Sequence, residues 1–415
     1  MREDKEPVLP LGSFLFPRIF QAFRMAIQPT KLALAFLALA TVCLTGRVMD
    51  VSNTVVVAPN GMTELDEYVS VSPQVDEHIR LFGETGERTG VFITLWRFGA
   101  KRFHSAVLGI PRRDSLGIFG DIVACFAALL WAFTYHPVYS VILFAVTLAV
   151  MALAGGSICR IAALQFAQGE KPGLVEAVRF GRRKFYSFLA APVAPVALMA
   201  LIGLFIVLLG VIGNIRYVGP LCIGLFLPLA LLPAAFISII AIGALAGFNL
   251  LFPTIAYEDS DCFDAMSRSF SYVYARPWRM GFYTVTAAVY GAICYEFVRF
   301  FSFLLLWITH FFLRIGVWNG NKNLTAIWAQ PDFTDLLGRT AAQPQGWWES
   351  AAAFLIYVWV LIVVGLMVSY VISFYFSANT IIYALMRNRV DRTALEEIYP
   401  SSDDMAAEPP PPLCR

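Results

Sequence analysis

Glu296 and Arg299 stand three residues apart inside a largely apolar stretch. On a helix that spacing lets a carboxylate and a guanidinium pair. Ionisable groups deep in a bilayer mark ion or substrate paths. Glu296 lies about 24 Å along a helix from Met280, at 1.5 Å per residue. That places the pair near an interface, where a structural role is expected. Asn249 is a lone polar group in another apolar run, and its expected use is to bond a neighbouring helix. Arg182, Arg183 and Lys184 form a basic triplet just before a third run. With Arg276 and Arg279, they are candidates for contact with an anionic lipid headgroup or a partner. Glu258, Asp259, Ser260, Asp261 and Asp264 cluster beside Arg268. Such acids can take a cation. They also suit a helix N-terminus, with Ser260 or Asp259 as N-cap and carboxylates facing the positive end of the dipole. Pro277 then ends that helix.

Other chemistry is thinly supplied. The cysteines are Cys43, Cys125, Cys159, Cys222, Cys262, Cys294 and Cys414, and no two have CxxC spacing, so no zinc site is expected. The histidines are His78, His104, His136 and His310. Haem needs facing axial ligands inside a bundle, and only His136 and His310 approach apolar segments, at their edges. There is no P-loop, HExxH, GxSxG or dinucleotide fingerprint. An enzyme in the outer loops would have only His78, His104, Glu64, Asp66 and Glu67 to work with. The expectation is a protein with no cofactor and no metal that is not an enzyme.

The elements that must position these groups follow from composition. Hydrophobic residues make up 58% of the 415 and charged residues 14%, against about 25% charge in an ordinary soluble chain. Mean hydropathy is +0.67. This excludes a soluble globular protein and a disordered one, and leaves a polytopic membrane protein. A net charge of +2 gives no reason to expect nucleic acid.

Uncharged or nearly uncharged runs at 32–46, 122–159, 187–213, 217–257, 280–313 and 350–386 supply the candidate spans. The segment 1–31 is too long and too acidic at its start for a signal-peptide n-region, so 32–46 reads as a retained anchor. That run is short, and Lys31 and Arg47 are expected to complete it by snorkelling to opposite interfaces. Basic residues concentrate before the first run and over 160–184, and the positive-inside rule puts both on the cytoplasmic side. Parity then requires a single crossing near 138–158, with 117–135 in the outer interface and Asp121 and Trp131 at headgroup level. Pro220, Pro228 and Pro233 are expected to break the first half of 217–257, leaving 234–253 to span. The run 280–314 is expected to be one continuous helix. Trp318, Trp328, Trp347 and Trp348 fall in or beside the loop 316–349, which is expected to lie on the membrane and pack on 51–116. Residues 409–412 are a polyproline tail.

Three segments share a pattern: Phe20-Gln21-Ala22-Phe23-Arg24, Val175-Glu176-Ala177-Val178-Arg179 and Phe263-Asp264-Ala265-Met266-Ser267. Each precedes a span. Short helices with aromatic or aliphatic residues on one face and Arg on the other lie at the headgroup boundary. Three units are therefore expected, each an in-plane amphipathic helix followed by a helical hairpin.

Two stretches carry a family resemblance. They are Gly155-Gly156-Ser157-Ile158-Cys159-Arg160-Ile161-Ala162-Ala163 with Glu170-Lys171-Pro172 and Glu176-Ala177, and Asp261-Cys262-Phe263-Asp264-Ala265-Met266-Ser267-Arg268-Ser269 with Tyr272-Val273 and Arg276-Pro277-Trp278. They resemble a family of bacterial six-span membrane proteins without an assigned reaction. More distantly, the layout resembles the membrane domain attached to some glycerophosphodiester phosphodiesterases. The catalytic barrel of those enzymes is absent, so the resemblance implies a fold and carries over no catalytic residue.

The sequence thus predicts an all-α polytopic membrane bundle of about six transmembrane helices in three hairpin units. Its parts are a cytoplasmic amphipathic segment (1–31), a first span (32–48), an extracytoplasmic region with an interfacial helix (49–137) and a central bundle (138–314). A Trp-rich outer loop (315–349), a last span (350–387) and a cytoplasmic tail (388–415) follow. It is expected in the plasma (inner) membrane with both termini cytoplasmic. The expected function is to organise lipids or other membrane proteins. The alternative is a small-molecule or lipid transporter with its site at the proline-broken fourth span.

Overall fold

The computed structural model describes residues 16–70, 75–83, 86–215, 219–317, 324, 327–338 and 346–398. The tail proline run, Cys414 and Trp318 fall outside the described residues.

A 3-10 turn over Phe16–Phe20 leads into α1 (Gln21–Ala26) and the long α2 (Pro29–Met49). A small module follows: β1 (Val55–Val57), α3 (Glu64–Tyr68), α4 (Val75–Phe82), β2 (Glu87–Thr89), α5 (Val91–Arg112) and α6 (Ser115–Tyr135). Then come α7 (Pro137–Ala167), α8 (Leu174–Arg183), α9 (Phe185–Ala190), α10 (Ala194–Ile212) and α11 (Gly219–Gly247). A 3-10 turn at Phe248–Leu250 precedes α12 (Leu251–Glu258), α13 (Cys262–Ala275), α14 (Pro277–Gly316) and α15 (Trp347–Val390). The fold is nearly all-α. The departure is an antiparallel pair in which Val55 faces Thr89 and Val57 faces Glu87. The β-branched run at 55–57 favours that extended backbone.

Among the described residues, seven helices are long and apolar enough to cross a membrane, one more than expected. The addition is Ser115–Tyr135, whose first and last residues lie close to the stretch expected at an interface. The first candidate, Pro29–Ser52, is long enough without help from its flanks.

The fourth span needs correcting. α11 is continuous and carries Pro228 and Pro233 inside it. Each proline costs one backbone hydrogen bond, yet the rest of an apolar helix holds the segment together where no water competes for its backbone. The irregularity lies instead at Phe248–Leu250, beside Asn249. α14 has 40 residues and α15 has 44. At 1.5 Å per residue each exceeds the roughly 30 Å of a hydrocarbon core.

Exposed apolar surface identifies the solvent. Along α10 and α11, Leu201, Leu208, Leu225, Leu232 and Leu245 all face outward. In water such a surface would drive aggregation; in lipid it is the preferred one.

The chain divides into two compact units. The first comprises 1–35, 152–291 and 369–415, and the second 36–151 and 292–368. In the first, close packing is set by glycines: a Cβ on Gly155 would meet the Phe376 ring at 2.4 Å, and one on Gly156 the Phe188 ring at 2.5 Å. α13 leans on α11 where Phe270 and Tyr274 flank Gly243, and the Tyr274 hydroxyl donates to the Ile239 carbonyl. In the second, Val55, Leu65, Val91, Phe98 and Trp131 bury one cluster, and Leu306, Trp328, Leu336, Val360 and Met367 another.

Candidate functional site

Two kinds of polar group occupy the first unit: a buried network and an exposed basic rim. The network centres on Glu258, the last residue of α12, which is 8% exposed. Its Oε1 lies 2.7 Å from Arg387 Nε and accepts a hydrogen bond from the Tyr383 hydroxyl at 2.9 Å. Its Oε2 lies 3.6 Å from Arg268. Arg387 is 3% exposed and donates to the Glu397 carbonyl at 2.6 Å. Nearby, the Tyr272 hydroxyl donates to the Asp391 carboxylate. Burial and that carboxylate push the Tyr272 phenol above its ordinary pKa, so it stays a neutral donor.

The C-terminal carbonyls of α12 have no partners within the helix. Arg160, buried on α7, donates to the Ala256 carbonyl at 3.0 Å, and Lys184 donates to that of Asp259. Cations suit this negative end of the dipole. Asp259 adopts a left-handed conformation (φ 51°), which lets the chain turn into α13. Arg183 and Lys184 clamp its carboxylate at 3.2 and 3.1 Å. The N-cap of α13 is Asp261, accepting from the Asp264 amide at 2.8 Å, and not Ser260 or Asp259. The cap moves because Asp259 is already the turn residue.

The expected basic contacts thus separate. Arg183 and Lys184 hold the α12–α13 turn. Arg182, Arg276 and Arg279 are exposed, and each has no ion pair among the described residues. Beside them Val175 is 70% exposed, Tyr186 80%, Phe263 64% and Trp278 91%. On the N-terminal short helix, Arg24 and Phe20 are exposed together. Ala22, Ala177 and Ala265, the matching alanines of the sequence pattern, are all buried. The three short helices therefore turn the same pattern position inward.

Lys31 departs from expectation. It does not snorkel: its relative exposure is 0%, and Nζ donates to Ser377 at 3.4 Å. Ser369, Ser373 and Ser377 recur every four residues along α15 and are fully buried. Ser373 donates to the Ala26 carbonyl at 2.8 Å. This seryl stripe permits close packing and supplies polar partners. Its spacing was readable in the sequence, but which helix it faces was not. Asn249 accepts from the Tyr375 hydroxyl of α15 at 2.8 Å, a helix-to-helix bond as expected.

In the second unit, Glu296 and Arg299 lie 3.9 Å apart, a loose pair. Arg299 has stronger partners that sequence spacing does not reveal. It donates to the Phe333 carbonyl at 2.9 Å, and its guanidinium sits 4.6 Å from the Phe333 ring centre. It approaches His104 Nδ1 at 2.6 Å. The loop segment carrying Phe333 is thereby fastened to α14 and α5. Trp328, expected at headgroup level, is buried edge-on against His310, whereas Trp347 and Trp348 are exposed. Asp121 and Trp131 are also buried: Asp121 pairs with Arg102 at 3.2 Å, and Trp131 packs edge-on to His136.

Burial, with Arg299 beside it, holds His104 below its ordinary pKa, and Glu296 opposes this only in part. The unfolded chain, near 6.5, then binds more protons than the folded one in mildly acid solution. Stability from this contact is full above about pH 6.5 and is lost as pH falls through the folded value. The thermal midpoint in detergent is expected to drop more steeply between pH 7.5 and 5 for the native chain than for His104→Gln. Equal slopes would show that His104 is not the responsible group.

The remaining loop acids and histidines have separate uses. Glu64 accepts from the Val56 amide at 2.7 Å and lies 3.4 Å from His136. Asp66 closes a capping box with Thr63. His78 packs edge-on to Phe82. No group of three or more metal-ligating side chains occurs among the described residues. No protein-family profile, characterised protein or solved structure matches the chain.

Proposed function

We propose that this chain is a non-catalytic integral membrane protein that organises anionic lipids at the cytoplasmic face of the plasma (inner) membrane, with other membrane proteins as second-rank partners. The observation that carries the reading is the pairing of exposed arginine with exposed large apolar residues: Arg24 with Phe20 and Arg182 with Tyr186 on short helical segments, and Arg276 and Arg279 with Trp278 where α13 gives way to the first turn of α14. An apolar side chain seeks the acyl boundary while its arginine neighbour seeks phosphate. In this reading each short helix lies in the headgroup plane and leads a helical hairpin, giving three units.

Six crossings and cytoplasmic termini belong to the same proposal. They require α6 to lie on the outer face. Two features favour that placement. α6 packs along α5, which carries Arg97, Lys101, Arg102 and Arg112. Asp121 of α6 pairs with Arg102 of α5 at 3.2 Å, which ties the helix to that basic neighbour. The transport alternative needed a break at the prolines of the fourth span, and α11 runs through Pro228 and Pro233.

Native mass spectrometry of the detergent-extracted protein tests the lipid reading. Each cation near an anionic surface contributes about fivefold in affinity. The triple variant R182Q/R276Q/R279Q is therefore expected to retain phosphatidylglycerol about a hundredfold more weakly, with phosphatidylcholine unaffected. Unchanged retention, or a stoichiometric protein partner lost in place of lipid, would refute it.

A further inference from the structure

The second unit contains a cleft of about 380 Å³ between the β1–β2 pair and one face of α5. An adjoining hollow of about 320 Å³ shares Arg88, Thr89, Ile93 and Arg97 with it. Arg88, Arg97 and Lys101 line the first, and Arg47 extends the second. These four cations come from α2, β2 and α5. Sequence reading had no means of grouping them, since they span more than fifty positions.

Four cations line the two hollows against three carboxylates, and two of those carboxylates are engaged by other donors. Asp50 accepts the Phe92 and Ile93 amides at 2.9 Å each and the Tyr139 hydroxyl at 2.6 Å. Asp66 holds the Thr63 amide and hydroxyl. Glu87 is left, exposed on the strand beside Arg88. Arg97 and Lys101 lie four apart on one helical face, where like charges repel. Neither has an ion pair among the described residues. Both are exposed at the cleft, where a bound anion would meet two cations at once.

We infer that this cleft is a binding site for a phosphate-bearing anion. Guanidinium and ammonium donors from β2 and α5, with Arg47 in the adjoining hollow, suit the tetrahedral oxygens of phosphate, with Arg offering a planar fork and Lys a point charge. The Thr89 hydroxyl adds a neutral donor at the rim. Val57, Ile93 and Phe98 make the rest of the wall apolar, and the volume leaves room for a small organic group beyond the phosphate. A free phosphorylated molecule and a phospholipid headgroup present the same chemistry here. The inference does not rest on the arginine rim of the first unit.

The test uses the full-length protein in detergent. Inorganic phosphate is titrated calorimetrically against chloride at matched ionic strength, and nanodiscs of phosphatidic acid are compared with phosphatidylcholine. R97Q/K101Q is expected to weaken phosphate binding at least tenfold. Its thermal midpoint in chloride should stay at or above the native value, because no internal partner is lost. Binding of phosphate alone assigns a soluble ligand. Binding of phosphatidic acid alone, sensitive to R97Q/K101Q, assigns a headgroup. R182Q/R276Q/R279Q should leave either result unchanged, which separates this site from the rim. No binding of either probe, or binding indifferent to R97Q/K101Q, overturns the inference.

Discussion

Glu258→Gln is expected to destabilise the first unit by about 3–5 kcal/mol, the range for removing one partner of a buried ion pair. Glu258 and Arg387 are both buried and 2.7 Å apart. Glutamine keeps the shape but not the charge. Arg387 would then remain buried without a counter-charge, its partners among the described residues being the neutral amide oxygen, the Glu397 carbonyl and the Tyr257 ring 5.8 Å away. Arg268 would lose one of its two carboxylates but keep Asp264 at 3.2 Å. The measurable result is a large fall in thermal midpoint and in the yield of monodisperse protein. A double variant, Glu258→Gln with Arg387→Met, should be less damaged than the sum of the two single changes, because each removes the other's uncompensated charge. A single variant within about 1 kcal/mol of native stability, near the value of an exposed pair, would mean that the network carries little energy. The polarity of this cluster is local in origin: Glu258 ends α12, and cations gather at that negative end.

Asp50→Ala is expected to cost about 1–3 kcal/mol, the range for a buried donor left without its acceptor: the Ile93 amide loses its partner, while the Phe92 amide keeps the Tyr139 hydroxyl at 3.2 Å and that hydroxyl keeps the Gly46 carbonyl at 3.4 Å. The reason lies in α5. Its N-cap is Gly90, which has no side chain to satisfy the first amides. Asp50 does this from the end of α2, accepting from Phe92 and Ile93. A Cβ at position 90 would lie 1.9 Å from the Asp50 carboxyl carbon, so the glycine makes room for its own substitute cap. Hydrogen exchange is the informative measurement. Amides at the start of α5 should lose protection, while those of α14 should retain it. Asp50→Asn, which keeps an acceptor oxygen, should recover part of the loss. Full protection in Asp50→Ala would show that another group caps the helix.

The two cases differ in how much the sequence disclosed. Around Glu258 the acidic run and the following helix were visible, because caps and dipoles act within one turn. The choice of Asp261 as N-cap was not, since Asp259 took the left-handed position that the preceding helix needed. Around Asp50 nothing was visible. Its partners lie 42 and 43 positions away, and no periodicity links them. The same holds for Lys31 and Ser377, separated by 346 positions, and for Arg299 with His104 and Phe333.

The misread fourth span has a different cause. Proline is a reliable breaker in water, where freed carbonyls find solvent. In an apolar helix the backbone has nowhere else to bond, and α11 stays helical through Pro228 and Pro233. Asp121, Trp131 and Trp328 were given to headgroups on residue preference, and packing partners from α5, β1 and α15 claimed them.

By itself, the sequence determined the solvent, the long apolar helices, and the short helices that share one residue pattern. Those follow from composition and from periods of three to four residues, which act within a few turns of chain. Only the tertiary structure decided which charges are buried in pairs, which stay outside, and which converge on the cleft beside α5. Those outcomes depend on side chains brought together from distant positions, where the energy of desolvating a charge, and not its place in the chain, selects the partner.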